Sequence, residues 1–274
     1  MKTRDFSKIW TLTTVMFLFA SAAVAGMIGE YGDAPESAIA YPSLGVMGAF
    51  PTCANAGPAG YVWHGPLCWA FFGPGFDFES EGNGGACSSF NPYDQDECYG
   101  DGDAGLLKPE AWTIQNNPDG TQTVVPCINQ DLLGYTCHSA DWGTGVADEI
   151  DIQVTNTMPV DGFVNVLADW DRSGSWGGFS NCGSAQAPEH VLVNFPLPIG
   201  FSGPLSALMP PSFLIGPQQG FIWFRFTVSE TAVPTDWNGE QSFEDGETED
   251  YLLQVIEPTA TEESDWTTVK RLYR

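Results

Sequence analysis

Positive charge is what this sequence most lacks. Its 274 residues contain nine Lys plus Arg against 35 Asp plus Glu, a formal net charge of −26. Only Lys108, Arg172 and Arg225 are basic outside the two chain ends. So acidic a body repels nucleic-acid backbones and anionic lipid headgroups, and we therefore expect no nucleic-acid partner. A metal cation is the natural counter-charge; the alternative is that the charge only confers solubility.

Enzyme signatures are also missing. The sequence has no G-x-S-x-G nucleophile elbow and no H-E-x-x-H zinc helix. Its three histidines, His64, His138 and His190, form no metal-binding pair. Paired carboxylates suit glycoside hydrolysis, but in so acidic a chain such pairs arise by chance. We therefore expect a protein without catalysis, with a secreted glycoside hydrolase as a less favoured alternative.

Long amphipathic helical patterns do not occur, whereas turn formers and aromatic residues are abundant. The chain has 31 Gly, 20 Pro and 13 % aromatic residues, unlike a helical protein. Short β-rich runs are separated by Gly, Pro, Asn and Asp. These runs are residues 149–156, 162–170, 190–197, 220–229 and 250–258. We predict an all-β fold, an antiparallel β-sandwich of Ig-like or Greek-key type with long disulfide-stapled loops.

The N-terminal residues 1–25 are predicted to be a secretory signal peptide. Basic residues precede an apolar stretch that begins at Ile9, and Ala23-Val24-Ala25 offers the small residues of a cleavage site. The apolar stretch is short for a membrane span. We therefore expect a secreted or cell-surface protein with no stable membrane span.

The rest of the chain divides into three segments. Residues 26–110 are rich in loop-forming residues, and residues 111–257 hold most of the predicted strands. Residues 258–274 form a polar linker followed by a basic-aromatic tail, which we interpret as a possible sorting tag. The sandwich is thus expected in residues 111–257, with residues 26–110 as its loop-rich N-terminal part.

Seven cysteines in an exported chain predict disulfide bonds. No C-x-x-C spacing occurs, which argues against a metal–thiolate cluster. Spacing alone does not determine connectivity. Pairing between neighbours along the chain predicts the bridges Cys53–Cys68, Cys87–Cys98 and Cys127–Cys137, and leaves Cys182 unpaired.

The densest acidic stretch runs directly into an apolar strand. Five of the seven residues from 244 to 250 are Asp or Glu, and "YLLQV" follows. In an extended chain, Glu247 and Glu249 share a face with Tyr251, the face that continues into the core. Buried carboxylates need a compensating partner. One candidate is Arg225, the only basic residue in a predicted strand, for which we expect a bidentate ion pair with Glu249.

A calcium ion is the other candidate partner. In "DWDRSGSW", residues 169–176, Asp169, Asp171 and Ser173 take the first, third and fifth positions of a calcium loop, and Ser175 offers its carbonyl. The twelfth position holds Ser180 instead of the required Glu, so the loop alone is incomplete. We expect Glu247, Glu249 or Asp250 to complete it. Further candidates, for the same or a second site, are Asp77, Glu79, Asp101 and Asp103. The alternative is a turn whose acids cap backbone amides without metal.

These acidic stretches resemble the GEVED domain, a module of secreted bacterial and archaeal proteins. "DGETEDYLLQV" (245–255) is similar to the family's Gly-Glu-x-Glu-Asp signature, with Thr248 in place of Val. "YGDAP" (31–35), "DGDAGLL" (101–107) and "VLADWDRSGSW" (166–176) occur in the family's order. The resemblance spans most of residues 29–256. It implies a β-sandwich at or outside the cell surface and no established activity.

Together these observations predict a structural or adhesive surface module that is stabilised by Ca²⁺ in its acidic loops. Other surface proteins or a polysaccharide are the expected partners. A carbohydrate-binding module is the main alternative, because loop tryptophans can stack on sugar rings. The tryptophans near predicted loops are Trp63, Trp69, Trp142, Trp170, Trp176 and Trp237.

Overall fold

The computed structural model describes residues 27–55, 57–76, 78–83, 87, 98, 104–145 and 149–258. These ranges contain nineteen strands and a single short 3-10 helix, Leu205–Leu208, but no α-helix. The predicted all-β class is therefore confirmed. The predicted signal peptide and residues 259–274 of the tail lie outside the described residues. No helix in the described ranges has the length and apolar character needed to cross a membrane.

The strands follow the local sequence pattern closely in the C-terminal half. In chain order they are β1 (Glu36–Tyr41), β2 (Val46–Ala49), β3 (Val62–His64), β4 (Ala70–Phe72), β5 (Leu106–Lys108), β6 (Trp112–Asn116), β7 (Gln122–Pro126), β8 (Gly134–Tyr135), β9 (Ser139–Trp142), β10 (Glu149–Asn156), β11 (Gly162–Ala168), β12 (Phe179–Cys182), β13 (Ala185–Pro188), β14 (His190–Leu197), β15 (Ser202–Pro204), β16 (Phe213–Leu214), β17 (Gly220–Ser229), β18 (Gln241–Phe243) and β19 (Gly246–Ile256). The predicted runs 149–156, 190–197 and 220–229 are β10, β14 and β17. Strand β19 begins four residues earlier than predicted, so it includes most of the acidic stretch.

Two facing sheets form the sandwich. The main sheet has the order β14-β11-β17-β19-β6-β7, and β8 joins it beside β19. The second sheet has the order β15-β10-β9-β16, and β4 and β5 also pair with β10. Buried side chains from both sheets, such as Ile152, Val166, Phe226 and Leu253, fill the core between them. Most pairs are antiparallel, as predicted, but β8–β19, β9–β10 and β3–β18 are parallel.

The main sheet is buried on both faces. Its second face carries Leu167, Trp223 and Leu252, which pack with Phe50 and Val62 of the N-terminal part in a separate core. The N-terminal part thus provides an outer layer, and it also contributes β4 and β5 to the second sheet. Because successive residues of a strand point to opposite faces, the acidic residues of β19 are buried whichever way they point.

The disulfides join segments that are distant in sequence. The bridges are Cys53–Cys87, Cys98–Cys127 and Cys137–Cys182, with sequence separations of 34, 29 and 45 residues. The predicted neighbour pairing, Cys53–Cys68, Cys87–Cys98 and Cys127–Cys137, is therefore wrong. The prediction that Cys182 is the odd cysteine is also wrong, since Cys68 retains its thiol and is buried. Tertiary packing decides the pairing.

Cys137 and Cys182 illustrate how packing brings the bridged cysteines together. Both approach the carbonyl of Ile215: the Cys137 amide donates to it at 3.2 Å, and the Cys182 sulfur lies 3.4 Å from it. Ile215 follows β16, which pairs with β9. The strand pairing, rather than closeness along the chain, therefore places these two cysteines next to each other.

Candidate functional site

The calcium loop predicted from residues 169–176 forms the turn after β11. The Asp169 amide still donates to the Trp223 carbonyl of β17 at 3.0 Å, and the chain then leaves the sheet. Gly174 has a φ of +85°, and a Cβ at that position would overlap the carbonyl oxygen of Met47. The close approach of the β2 backbone therefore requires glycine here. The turn is compact and held against the N-terminal layer.

Asp169 organises this turn with both carboxylate oxygens. Its Oδ1 accepts a hydrogen bond from the Ser173 amide at 2.9 Å. Its Oδ2 accepts from the Gly174 amide and from the Tyr41 hydroxyl, both at 2.8 Å. The exposed Asp171 also accepts from the Ser173 amide, at 2.9 Å. The acids of the loop thus cap backbone amides, which is the arrangement that the alternative without metal predicted from the sequence.

A third acid, Glu189, completes a cluster that the sequence did not reveal. One carboxylate oxygen each from Asp169, Asp171 and Glu189 lie within 4.8 Å of one another. Glu189 precedes β14, the neighbour of β11, and its carbonyl accepts from the Ala168 amide at 2.8 Å. Its Oε2 accepts from the Gly177 amide at 2.7 Å. No local motif surrounds Glu189, and only the pairing of β11 with β14 brings it here.

The cluster disfavours negative charge when no cation is bound. Burial raises the pKa of Asp169 to about 7, although hydrogen bonds from Gly174 and Tyr41 act in the opposite direction. Burial and then the charges of Asp169 and Asp171 raise the pKa of Glu189 to about 8, against the Gly177 hydrogen bond. A nearby cation would favour the ionised forms. The site can therefore gain from a divalent ion.

The two serines of the predicted loop are already hydrogen-bonded within the turn, and the Ser173 hydroxyl lies 3.3 Å from Asp169 Oδ1. The Ser173 hydroxyl donates to the Ser175 carbonyl at 3.1 Å, so that carbonyl already accepts a hydrogen bond. Asp77, Asp101 and Asp103 lie outside the described residues. Glu79 is described, but it belongs to a different part of the molecule.

Glu247 and Glu249 do not complete the Asp169 site, which corrects the prediction from sequence. They share the face of β19 that carries Tyr251 and Leu253, between the two sheets. Asp169 shares the opposite face of the main sheet with Leu167. Two strand spacings and about three residues also separate Glu249 from Asp169, roughly 14 Å from strand geometry.

Asp250 is the partner of Arg225. The Arg225 guanidinium donates to Asp250 Oδ1 at 2.8 Å and to Oδ2 at 2.6 Å, and both side chains are fully buried. The prediction of an Arg225–Glu249 pair is wrong by one residue. In the antiparallel register, Arg225 lies opposite Asp250, whereas Glu249 lies opposite Phe226. Directly opposed residues point to the same face, so Glu249 points away from the guanidinium.

Asp250 also binds the "YGDAP" stretch. Its Oδ2 accepts from the amides of Asp33 and Ala34 at 2.9 and 2.7 Å. Arg225 donates further to the carbonyls of Pro51 and Gly239. One buried ion pair therefore joins the N-terminal layer to the main sheet. This contact links two of the motifs on which the GEVED resemblance rests.

Other acids near the start of β19 bind backbone amides. Asp245 Oδ1 accepts from the Trp69 amide at 2.6 Å, and Glu247 accepts from the Phe72 amide. In the N-terminal layer, Glu36 accepts from the Cys53 amide at 2.7 Å. Part of the acidic excess therefore holds loops in place without any metal.

The loop tryptophans divide into two groups. Trp170, Trp176 and Trp237 are buried in the cores and cannot stack on an external sugar. Trp63 and Trp142 are half-buried, and Trp69 is 45 % exposed. The carbohydrate-binding interpretation therefore keeps fewer of its six candidates than the sequence offered.

Comparison with known proteins adds no family to this geometry. No protein-family model matches the chain, and no curated protein matches it. Its function has therefore to be inferred from the chemistry of its own residues.

Proposed function

We propose that this protein is a secreted or cell-surface β-sandwich module of GEVED type. Its role is structural or adhesive, without catalysis, and Ca²⁺ stabilises it at the turn after β11. The convergence of Asp169, Asp171 and Glu189 oxygens within 4.8 Å carries the proposal. Calcium takes six to eight oxygen ligands, supplied by carboxylates, carbonyls and water. Two carboxylates of the tightly held turn and one from the residue before β14 form the anionic part of such a site.

The disulfides support the location. Three bridges among seven cysteines are typical of proteins that fold in an oxidising compartment. The predicted signal peptide would deliver the chain there. Surface proteins or a polysaccharide are the proposed partners.

Calcium should therefore stabilise the protein, and the loss of Asp171 should remove this effect. At a free Ca²⁺ concentration one hundred times Kd, linkage stabilises the folded state by about 2.7 kcal/mol. For a domain of this size, that corresponds to a rise in Tm of roughly 5–10 °C. Differential scanning calorimetry of chelator-treated protein, with and without calcium, measures the rise, which Asp171→Ala should abolish.

Asp141→Ala is the matched control, because Asp141 is an exposed acid on β9, away from the cluster. It should keep the full calcium response. The absence of any Tm shift at millimolar calcium in the wild-type protein would remove the calcium part of the proposal. An equal response in Asp171→Ala would show that this turn is not the site.

A group of exposed or half-buried aromatic side chains near β4 supports carbohydrate binding as a second candidate function. Trp69 and Phe71 lie on the outward face at β4, and Phe76 packs against Phe71 and Phe78 at centroid distances of 5.6 and 5.3 Å. Phe76 and Phe78 are each 40 % exposed. Aromatic faces of this kind can stack on sugar rings.

Tryptophan fluorescence with a panel of polysaccharides tests this second candidate. A binding polysaccharide should quench the wild-type signal, and Trp69→Ala should lose both the quenching and the binding. Trp142→Ala, which changes a half-buried tryptophan on β9, should retain both. A panel without any response would count against the sugar-binding role.

A further inference from the structure

A cavity of about 500 Å³ lies on the outward face of the second sheet. Strand β10 forms its floor. Gln153 and Thr155 line the cavity, and they alternate with Ile152 and Val154, which enter the core between the sheets. The cavity therefore belongs to the side of β10 that faces away from the core.

The backbone of Gln153 joins two further segments that line this cavity. Its carbonyl accepts from the Gly73 amide at 3.0 Å, and its amide donates to the Gly105 carbonyl at 2.8 Å. A Cβ at Gly105 would lie 2.5 Å from the Gly73 nitrogen and 2.7 Å from the Phe72 Cβ, so this close approach requires glycine. Main-chain hydrogen bonds thus hold the cavity in shape, and a pre-formed site loses less entropy when a ligand binds.

Three polar side chains of the cavity can form hydrogen bonds with a ligand. The hydroxyls of Thr155 and Ser202 lie 2.9 Å apart across the β10–β15 pair. Each hydroxyl has one donor and two acceptor positions, so their mutual hydrogen bond leaves positions for a ligand. The half-buried Gln153 side chain forms no hydrogen bond with the described residues, and its amide can both donate and accept.

Apolar side chains stand beside these polar groups. Phe71 lies opposite Thr155 in the β4–β10 register, so both side chains point to the same face. Phe71 packs against Phe76, which leads on to the exposed Phe78. Leu107 of β5 also lines the cavity and is 49 % exposed. An aromatic surface next to hydroxyl and amide groups suits a sugar ring, which has apolar C–H faces and hydroxyl groups at its edge.

The charge of the cavity selects among ligands. None of the described residues that line it is charged, although the chain contains 35 Asp plus Glu. A calcium ion would need several carboxylate or carbonyl oxygens around one point, and a cationic peptide would need acidic partners. The net charge of −26 repels polysaccharides that carry uronate or sulfate groups. A sugar chain without charge matches both the lining and the net charge.

We infer that this cavity, the β4–β10 groove, binds a segment of a neutral polysaccharide. Phe71 stacks on a sugar ring, while Gln153, Thr155 and Ser202 form hydrogen bonds with the sugar hydroxyls. The inference rests on the carbohydrate-binding role given above as the second candidate function, and it adds the polar contacts and the class of sugar. It does not depend on calcium at the turn after β11, because the two sites share no residue.

Isothermal titration calorimetry of the intact protein with cellohexaose, mannohexaose and xylohexaose tests the inference. At least one of these neutral hexasaccharides should bind. Gln153→Ala and Thr155→Val should each raise its Kd by up to roughly tenfold, the loss expected when hydrogen bonds to a neutral side chain are removed. Phe71→Ala should remove detectable binding, because it removes the stacking surface.

Matched controls come from the main sheet. Gln115→Ala on β6 and Thr123→Val on β7 make the same changes at exposed strand positions outside the groove, and their Kd values should equal that of the wild type. Gln153→Ala leaves the backbone hydrogen bonds to Gly73 and Gly105 in place, so its Tm should not change. The polar variants therefore decide the matter even if Phe71→Ala does not fold.

The outcomes separate the groove from the sugar-binding role itself. If a hexasaccharide binds and Trp69→Ala removes the binding, while Phe71→Ala, Gln153→Ala and Thr155→Val retain the wild-type Kd, the role stands and the groove is wrong. Binding of hexagalacturonate as tight as that of the neutral sugars would overturn the choice of an uncharged ligand. If no hexasaccharide binds, both the groove and the second candidate function fail, whereas the calcium proposal is tested separately by the Tm.

Discussion

Replacing Arg225 with Met tests how the acids of β19 are compensated without a metal. The guanidinium binds both oxygens of Asp250, donates to the Pro51 carbonyl at 2.7 Å and the Gly239 carbonyl at 3.1 Å, and lies 4.4 Å from the centre of the Trp176 ring. All these contacts are buried. Met retains much of the apolar stem but removes the charge and every donor.

The expected destabilisation arises because Arg225→Met leaves the carboxylate of Asp250 and two backbone carbonyls buried without their partner. Removing one partner of a buried ion pair costs about 3–5 kcal/mol, because the other charge stays buried. Asp250 keeps the amide hydrogen bonds from Asp33 and Ala34, which moderates this loss. The carbonyls of Pro51 and Gly239 lose donors, which acts in the opposite direction and keeps the total within that range. We therefore expect a loss of about 4 kcal/mol in the free energy of unfolding for Arg225→Met.

Urea unfolding with the disulfides intact measures this loss. With a slope of about 2 kcal/mol per molar urea, the midpoint should fall by about 2 M. Lys108→Met, which removes the same charge from a half-buried side chain on β5, should cost less than about 1 kcal/mol. Asp250→Asn should also destabilise, and the double variant should lose clearly less than the sum of the two single losses.

Two results would refute this reasoning. A loss below about 1 kcal/mol for Arg225→Met would mean that the buried pair does not hold the layers together. Strict additivity of Arg225→Met and Asp250→Asn would mean that the two side chains do not interact.

Two further predictions concern the thiol and the buried histidine. Alkylation of the denatured, non-reduced protein should label Cys68 alone, and a mapped disulfide to Cys68 would contradict this. Cys137→Ser should lower the free energy of unfolding by about 4 kcal/mol, because it opens the 45-residue loop that the disulfide closes. The ring of His64 should not titrate in NMR spectra between about pH 5 and 8, because burial lowers its pKa to about 3. The neutral His64 ring contributes fully to the free energy of unfolding above the pKa of about 6.5 that it has in the unfolded chain, and this contribution is lost as the pH falls toward 3. A His64 resonance that titrates near pH 6.5 would show that the ring is not buried.

Local sequence pattern was sufficient to predict the five longest strands, β10, β11, β14, β17 and β19. In β10, Ile150, Ile152 and Val154 alternate and all enter the core between the sheets, as period-two spacing requires. The run at β17 was predicted from end to end, since β-branched and aromatic residues lie between turn formers. These signals are local, so a single sequence is enough to predict such strands.

The partners of the acids depended on strand register instead. The choice between Glu249 and Asp250 as partner of Arg225 is a shift of one residue, and a one-residue shift moves a side chain to the other face. The register of β17 and β19 results from packing on both faces of the main sheet. From the sequence we expected only one face of β19 to be buried, because residues 27–83, which form the layer on its other face, have no strong strand pattern.

The sequence by itself determined that this chain forms β-strands and carries more negative charge than its three internal basic residues can balance. Only the tertiary structure decided what the buried acids contact: Asp169 lies beside Glu189, and Asp250 pairs with Arg225. The physical reason is that alternation is a property of neighbours in the chain, whereas a buried carboxylate finds its partners through tertiary contacts: Asp250 binds Arg225, 25 positions away, and the Ala34 amide, 216 positions away.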